Sequence, residues 1–281
     1  MPFASPDSLD EALELYANGS WRLLAGGSDL FAQVDLRPTT VGWLSLSEIP
    51  ELKGISERGE HIEIGALTTW AEIERSPLVP AMLAEAAASI GSHQIRWRAT
   101  IGGNICNAAP IADGLPALFA LNANVTLASI HGIRILPIDE FVLGRRTTAL
   151  HADEVLISIG FRRASVNEGS IYRKFSNREG VTLAITSLAM KIDWREDVAD
   201  DIRVVVGGAS EAPRHLQSLE ACLPGRSVRD LEHALADAQW AQELSPIDDL
   251  RGTKAFRLHI AGVLLHQSLS DLIAKRERHM S

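Results

Sequence analysis

Two glycine pairs constrain this 281-residue chain more than any other feature: Ala25-Gly26-Gly27-Ser28-Asp29-Leu30 and Thr100-Ile101-Gly102-Gly103-Asn104. Both read as the ends of strands, with small polar neighbours. Consecutive glycines permit positive φ and let successive amide N–H groups converge on an anion, and the missing Cβ lets a phosphate approach the backbone. Ser28 and Thr100 add hydroxyl donors, and a helix starting at about Ser28 would add its N-terminal partial charge. Either pair alone reads first as an ordinary turn. Together they predict two cradles gripping the phosphates of one dinucleotide from opposite sides. No Gly-x-Gly-x-x-Gly or P-loop pattern occurs, so the usual dinucleotide and nucleoside-triphosphate fingerprints do not apply.

Composition narrows the functional classes. A formal charge of −9 with scattered basic residues argues against general nucleic-acid binding; the tightest basic group, Arg96 and Arg98 around Trp97, reads as a solvated loop. Cys106 and Cys222 are the only cysteines, too few for a disulfide framework or an iron–sulfur cluster. The nine histidines form no metal-ligand spacing, and His259 and His266, though on one helix face, lack a carboxylate or thiol partner. Cys106 reads as packing. The first residues do not read as a secretion signal and no long apolar stretch is present, so a cytoplasmic protein without a membrane span is expected.

The length suits two domains. Ser8 and Glu11 form a capping pattern before a helix that Gly19 is expected to end in a left-handed conformation. Strands are read at 22–25, 61–65, 124–128, 133–136 and 155–162, with helices after Thr68 or Thr69, after Pro80, and between Asp113 and Leu121. Beyond a polar connector at 164–169, strands at 170–175, 183–192 and 202–207 come without intervening helices. Helices follow at 214–222, 228–240 and 253–278. The fold class is α+β, with domains at 1–165 and 166–281.

The run from Thr100 to Asn104, followed by Pro110-Ile111-Ala112-Asp113, resembles the FAD-binding subunits of molybdenum hydroxylases, the family of the carbon monoxide dehydrogenase medium subunit and the xanthine dehydrogenase flavin domain. Further matches lie at 25–30, 153–157, 172–174, 206–209 with Pro213-Arg214, and 250–252. The resemblance implies a two-lobed FAD-binding domain of the vanillyl-alcohol-oxidase (PCMH) type, followed by a small antiparallel sheet packed on a helical bundle. It places Gly26, Gly27, Ser28 and Asp29, framed by Ala25 and Leu30, at the FAD diphosphate and ribityl chain. Thr100, Gly102, Gly103 and Asn104, with Ile101 between them, would close the other side.

By the same resemblance, Asp113 would hold a sugar or ribityl hydroxyl, a role compatible with capping its helix, and Leu156 would pack near the ring. Tyr172 and Lys174 would lie beside the isoalloxazine, with Arg173 competing for the lysine's place. The implied partners are a molybdopterin-binding large subunit and a 2Fe-2S small subunit in a dimer of heterotrimers. Electron relay by an oxidoreductase subunit is the implied function. A free-standing flavin oxidoreductase and a non-redox scaffold remain alternatives, the first needing its own acid or base and the second having no need of two phosphate cradles.

Overall fold

Side-chain caps set where several helices begin in the structure, a computed structural model that describes residues 2–30, 41–177 and 183–280. Ser8 accepts from the Glu11 amide and starts α1 (Leu9–Asn18). Thr69 and Glu72 form a reciprocal capping box before α2 (Trp70–Arg75), and α3 (Ala81–Ser89) follows Pro80. Ser92 and Thr100 cap the short helices α4 (His93–Arg96) and α5 (Ile101–Asn107). Then come α6 (Gly114–Ala120) and α7 (Ile138–Phe141), and at the C-terminal end α8 (Gln217–Cys222), α9 (Leu231–Asp237) and α10 (Lys254–Met280).

The strands form three main sheets. β1 (Phe3–Ala4), β2 (Trp21–Leu24) and β3 (Gly42–Ser45) make a parallel sheet ordered β1-β3-β2. β4 (Ile55–Arg58), β5 (His61–Gly65), β6 (Asn124–Ser129) and β7 (Gly132–Pro137) join β10 (Val155–Arg162) in an antiparallel sheet ordered β4-β5-β10-β6-β7. The small hairpin of β8 (Val142–Gly144) and β9 (Thr147–Thr148) lies between β7 and β10 in the chain. The last sheet is antiparallel in chain order: β11 (Glu168–Phe175), β12 (Thr186–Arg195), β13 (Val198–Gly207) and β14 (Arg214–His215).

Period-two alternation in that last sheet decides how the chain is held together. Ile171, Leu188, Met190, Val204 and Val206 point to one face and join a core with Leu231, Ala261 and Leu265. Tyr172, Ala189 and Val205 point to the other and join the core that contains Trp70, Leu83 and Leu118. Burying each large apolar side chain stabilises by about 1.5–3 kcal/mol, so helices from both halves of the chain hold this sheet. Gly207 lets α6 lie flush on it, since a Cβ there would come within 2.6 Å of Pro116.

Three local expectations are corrected. Gly19 is extended (φ −137°), not left-handed; glycine is needed because a Cβ would meet the Trp21 indole at 2.1 Å. The segment 214–222 opens with a two-residue strand, β14, in which Arg214 and His215 pair with Val206 and Val205 of β13, and the Leu216 N–H donates to the Val204 carbonyl before α8 starts. Gly102 and Gly103 lie in the first turn of α5 rather than in a loop after a strand. Of the helix expected from about Ser28, residues 28–30 form a turn and the remainder lies outside the described residues.

Candidate functional site

The two glycine segments meet at one cavity of about 850 Å³. Ala25 to Leu30 line it from the end of β2, and Thr100, Gly102, Gly103 and Asn104 line it from the start of α5. Asp113 and Leu156 also reach it. Ile101 is fully buried in the core, and Tyr172 and Lys174 stand behind the cavity wall.

The first segment behaves as its composition suggests. Gly27 has φ +72°, a left-handed conformation that favours glycine. The amides of Gly26, Gly27 and Ser28 donate to no group among the described residues. Gly26 has a different reason for lacking a side chain: its Cβ would sit 1.7 Å from the Arg98 carbonyl oxygen. That close approach presses the first loop against the segment leading into the second.

The second segment is not an anion cradle of free amides. The Ile101 N–H donates to Thr68 O at 3.0 Å, Gly102 N–H to Ala66 O at 2.9 Å, Gly103 N–H to Thr100 Oγ1 at 3.2 Å, and Asn104 N–H to Thr100 O at 3.0 Å. Gly102 is required by packing, since a Cβ would meet Ala66 O at 2.7 Å. What this side offers a ligand is the exposed, side-chain-free surface of Gly103 and the Asn104 side chain. Asn104 Oδ1 is buried with no hydrogen-bond partner. A buried acceptor left unsatisfied costs about 1–3 kcal/mol, so its position on the cavity wall calls for a donor from a ligand.

Asp113 precedes α6 but does not cap it with its side chain. Its carboxylate instead accepts from Tyr172 Oη at 2.9 Å and from Lys174 Nζ at 2.7 Å, while Lys174 also donates to Ser89 O at 3.0 Å. Burial pushes the Asp113 carboxyl up, opposed by the charge and hydrogen bond of Lys174 and the hydrogen bond of Tyr172. The Tyr172 hydroxyl is driven well above its usual range by burial and by the neighbouring carboxylate. Strand alternation separates Arg173 from this group: it ion-pairs with Asp271 of α10 on the other side of the sheet. Of the two candidate cations, Lys174 is the one connected to the cavity, through Asp113.

Several lining residues carried no sequence signal. Arg146, in the β8–β9 turn, has φ +53° and bonds Asn107 Oδ1 at 2.8 Å. Gly91 (φ +48°) lines the cavity too, and its carbonyl accepts from Arg96 Nη1 at 3.2 Å. Arg96 is thus no solvated loop residue: it also pairs with Glu74 at 2.8 Å, tying α4 to α2 beside the cavity. Cys106 lines the cavity, but burial pushes its thiol up to about 12, which keeps it protonated and unreactive at neutral pH.

These features fit FAD. The volume is in the range of about 300–1,000 Å³ typical of small-molecule and cofactor sites. Uncommitted amides stand at one end, and an orphaned acceptor and a bare glycine at the other. Fold and cavity together define a mixed α and β dinucleotide-binding protein without the common nucleotide fingerprint.

Residues 1–161 match the family model described as the FAD binding domain in molybdopterin dehydrogenase, and residues 170–272 match the CO dehydrogenase flavoprotein C-terminal domain. The chain belongs to this family of FAD-binding subunits of molybdenum hydroxylases, and is an oxidoreductase flavoprotein subunit with FAD as its cofactor. It is 30% identical over 280 residues to the carbon monoxide dehydrogenase medium chain of Hydrogenophaga pseudoflava, covering 97% of each chain. Identity to the nicotine 6-hydroxylase medium subunit of Paenarthrobacter nicotinovorans is 28% over 280 residues, again covering 97% of each. Among solved structures, a chain of Hydrogenophaga pseudoflava carbon monoxide dehydrogenase superposes with a TM-score of 0.86 at 29% identity, covering 98% of both chains.

Proposed function

We propose that this chain is the electron-relay subunit of a molybdenum hydroxylase, taking electrons from iron–sulfur clusters on a small partner and delivering them to an external acceptor. A molybdopterin-binding large subunit would oxidise the organic substrate, and two such heterotrimers would associate in the cytoplasm. Full-length similarity to medium chains supports the reading. The single observation that carries it is the convergence of both glycine segments on one cavity. No helix among the described residues is long and apolar enough to cross a membrane.

FAD supplies one- and two-electron chemistry when bound, while the protein sets its position and solvent access. In this reading the amides of Gly26, Gly27 and Ser28 meet the diphosphate, between Ala25 and the Asp29-Leu30 turn. Thr100, Gly103 and Asn104 face the cofactor from the other side, and Leu156 packs near the ring. Ile101, Gly102, Tyr172 and Lys174 act indirectly, by fixing α5 and the Asp113 carboxylate. The proposed PCMH-type lobes occupy residues 1–165 and the C-terminal domain 166–281, with the cofactor ring toward their junction.

The free-standing oxidoreductase needs a proton-handling group on the cavity. Among the described lining residues Asp113 is engaged by Lys174, Asp29 pairs with Arg146, and burial holds the Cys106 thiol and the Tyr16 hydroxyl protonated. The purified chain should therefore show flavin absorption near about 370 and 450 nm and no iron–sulfur bands, co-purify with a larger and a smaller chain, and lack turnover alone. Turnover by the isolated chain would establish the free-standing enzyme, and no flavin uptake after reconstitution would establish a scaffold.

A further inference from the structure

Charge balance in the cavity singles out one side chain. The charged residues among its described lining are Asp29, Asp113 and Arg146. Lys174 already neutralises Asp113 from behind. Arg146 is thus the lining cation, and it stands beside the first glycine loop, 3.5 Å from Asp29 Oδ2. A diphosphate arriving next to the uncommitted amides of residues 26–28 brings negative charge close to Asp29 and requires a compensating cation.

The guanidinium is prepared for that role. Its side-chain bonds among the described residues, to Asn107 Oδ1 and Asp29 Oδ2, both use Nη1. Nε and Nη2 donate to no group among the described residues, leaving one edge of the fork open for paired acceptor oxygens. Nη1 is anchored between the first loop and the end of α5, so the open edge is oriented before any ligand arrives.

The backbone supports the same conclusion. Arg146 occupies the left-handed region (φ +53°), where glycine would sit without strain. Its N–H donates to the carbonyl of Ala108 at 2.9 Å, and Ala108 is itself left-handed (φ +43°). That bond fixes the backbone from which the guanidinium reaches the first glycine loop.

The geometry points to Arg146 as the residue that binds the diphosphate of FAD through its Nε–Nη2 edge, closing the side of the cavity that the second glycine segment, with its amides occupied, leaves open. This rests on the FAD reading above. Arg146→Gly removes the cation at a backbone conformation that glycine accepts, and Arg146→Lys keeps charge without the fork. FAD and riboflavin, which lacks phosphate, are titrated into the flavin-free full chain by fluorescence quenching.

Arg146→Gly should weaken FAD binding by about tenfold to a hundredfold, the scale of a hydrogen bond to a charged group, and leave riboflavin within about twofold. Arg146→Lys should recover part of the loss, and the salt dependence of FAD binding should flatten in Arg146→Gly. Unchanged FAD affinity in Arg146→Gly, or an equal loss for riboflavin, overturns the assignment while leaving the FAD reading intact. Failure of the unaltered chain to bind FAD overturns both.

Discussion

Replacing Lys174 with methionine tests the wall behind the cavity. Lys174 Nζ lies 2.7 Å from Asp113 Oδ2, and each side chain is only 10% exposed. At an effective dielectric of about 20 the gross attraction is about 6 kcal/mol. Asp113, stranded without its cation, takes up a proton rather than remaining charged, so the expected net loss is about 3 kcal/mol. For a chain of this size that corresponds to a fall of about 6–12 °C in Tm.

The loss should depend on pH. The Asp113 carboxyl is already held above its ordinary value in the folded protein, and Lys174→Met raises it further. The native state then binds more protons than the unfolded chain, so this group's contribution is fully present below the unfolded carboxyl value and is lost as pH rises through the folded one. Thermal unfolding of the flavin-free variant should show a smaller deficit at pH 5 than at pH 8, and Asp113→Asn in the same chain should recover much of it. A deficit below about 2 °C, or one equal at both pH values, would refute the buried pair as described.

Other consequences are equally concrete. Asn104→Ala removes an orphaned acceptor, so flavin-free stability should stay within about 0.5 kcal/mol by denaturant titration, while FAD affinity falls about tenfold. Gly26→Ala forces a Cβ into the Arg98 carbonyl; a loss of about 2 kcal/mol or more is expected in unfolding experiments, together with weaker FAD binding. Cys106, with its thiol at about 12, should be alkylated far more slowly at pH 8 than a free model thiol, its thiolate fraction being about one in ten thousand.

What the sequence reveals depends on whether the cause is local. The capping residues Ser8 and Thr69, the strand at 155–162 and the long final helix are visible because short-range patterns determine them. Both glycine pairs line the cavity. Their physical roles do not follow from spacing, since the need for Gly26 and Gly102 comes from the carbonyls of Arg98 and Ala66, which only the folded chain brings near. Likewise, Tyr172-Arg173-Lys174 signals a site, yet alternation sends Arg173 to Asp271 and Lys174 to Asp113. Arg146 has no motif of its own, because its placement depends on a left-handed turn meeting Ala108 at the end of α5.

The most direct measurement is a crystal structure of the full chain soaked with FAD. One FAD per chain should fill the cavity bounded by residues 25–30 and 100–104, with the amides of Gly26, Gly27 and Ser28 within hydrogen-bond reach of its phosphate oxygens. A flavin bound elsewhere, or phosphates directed away from that loop, would contradict the account.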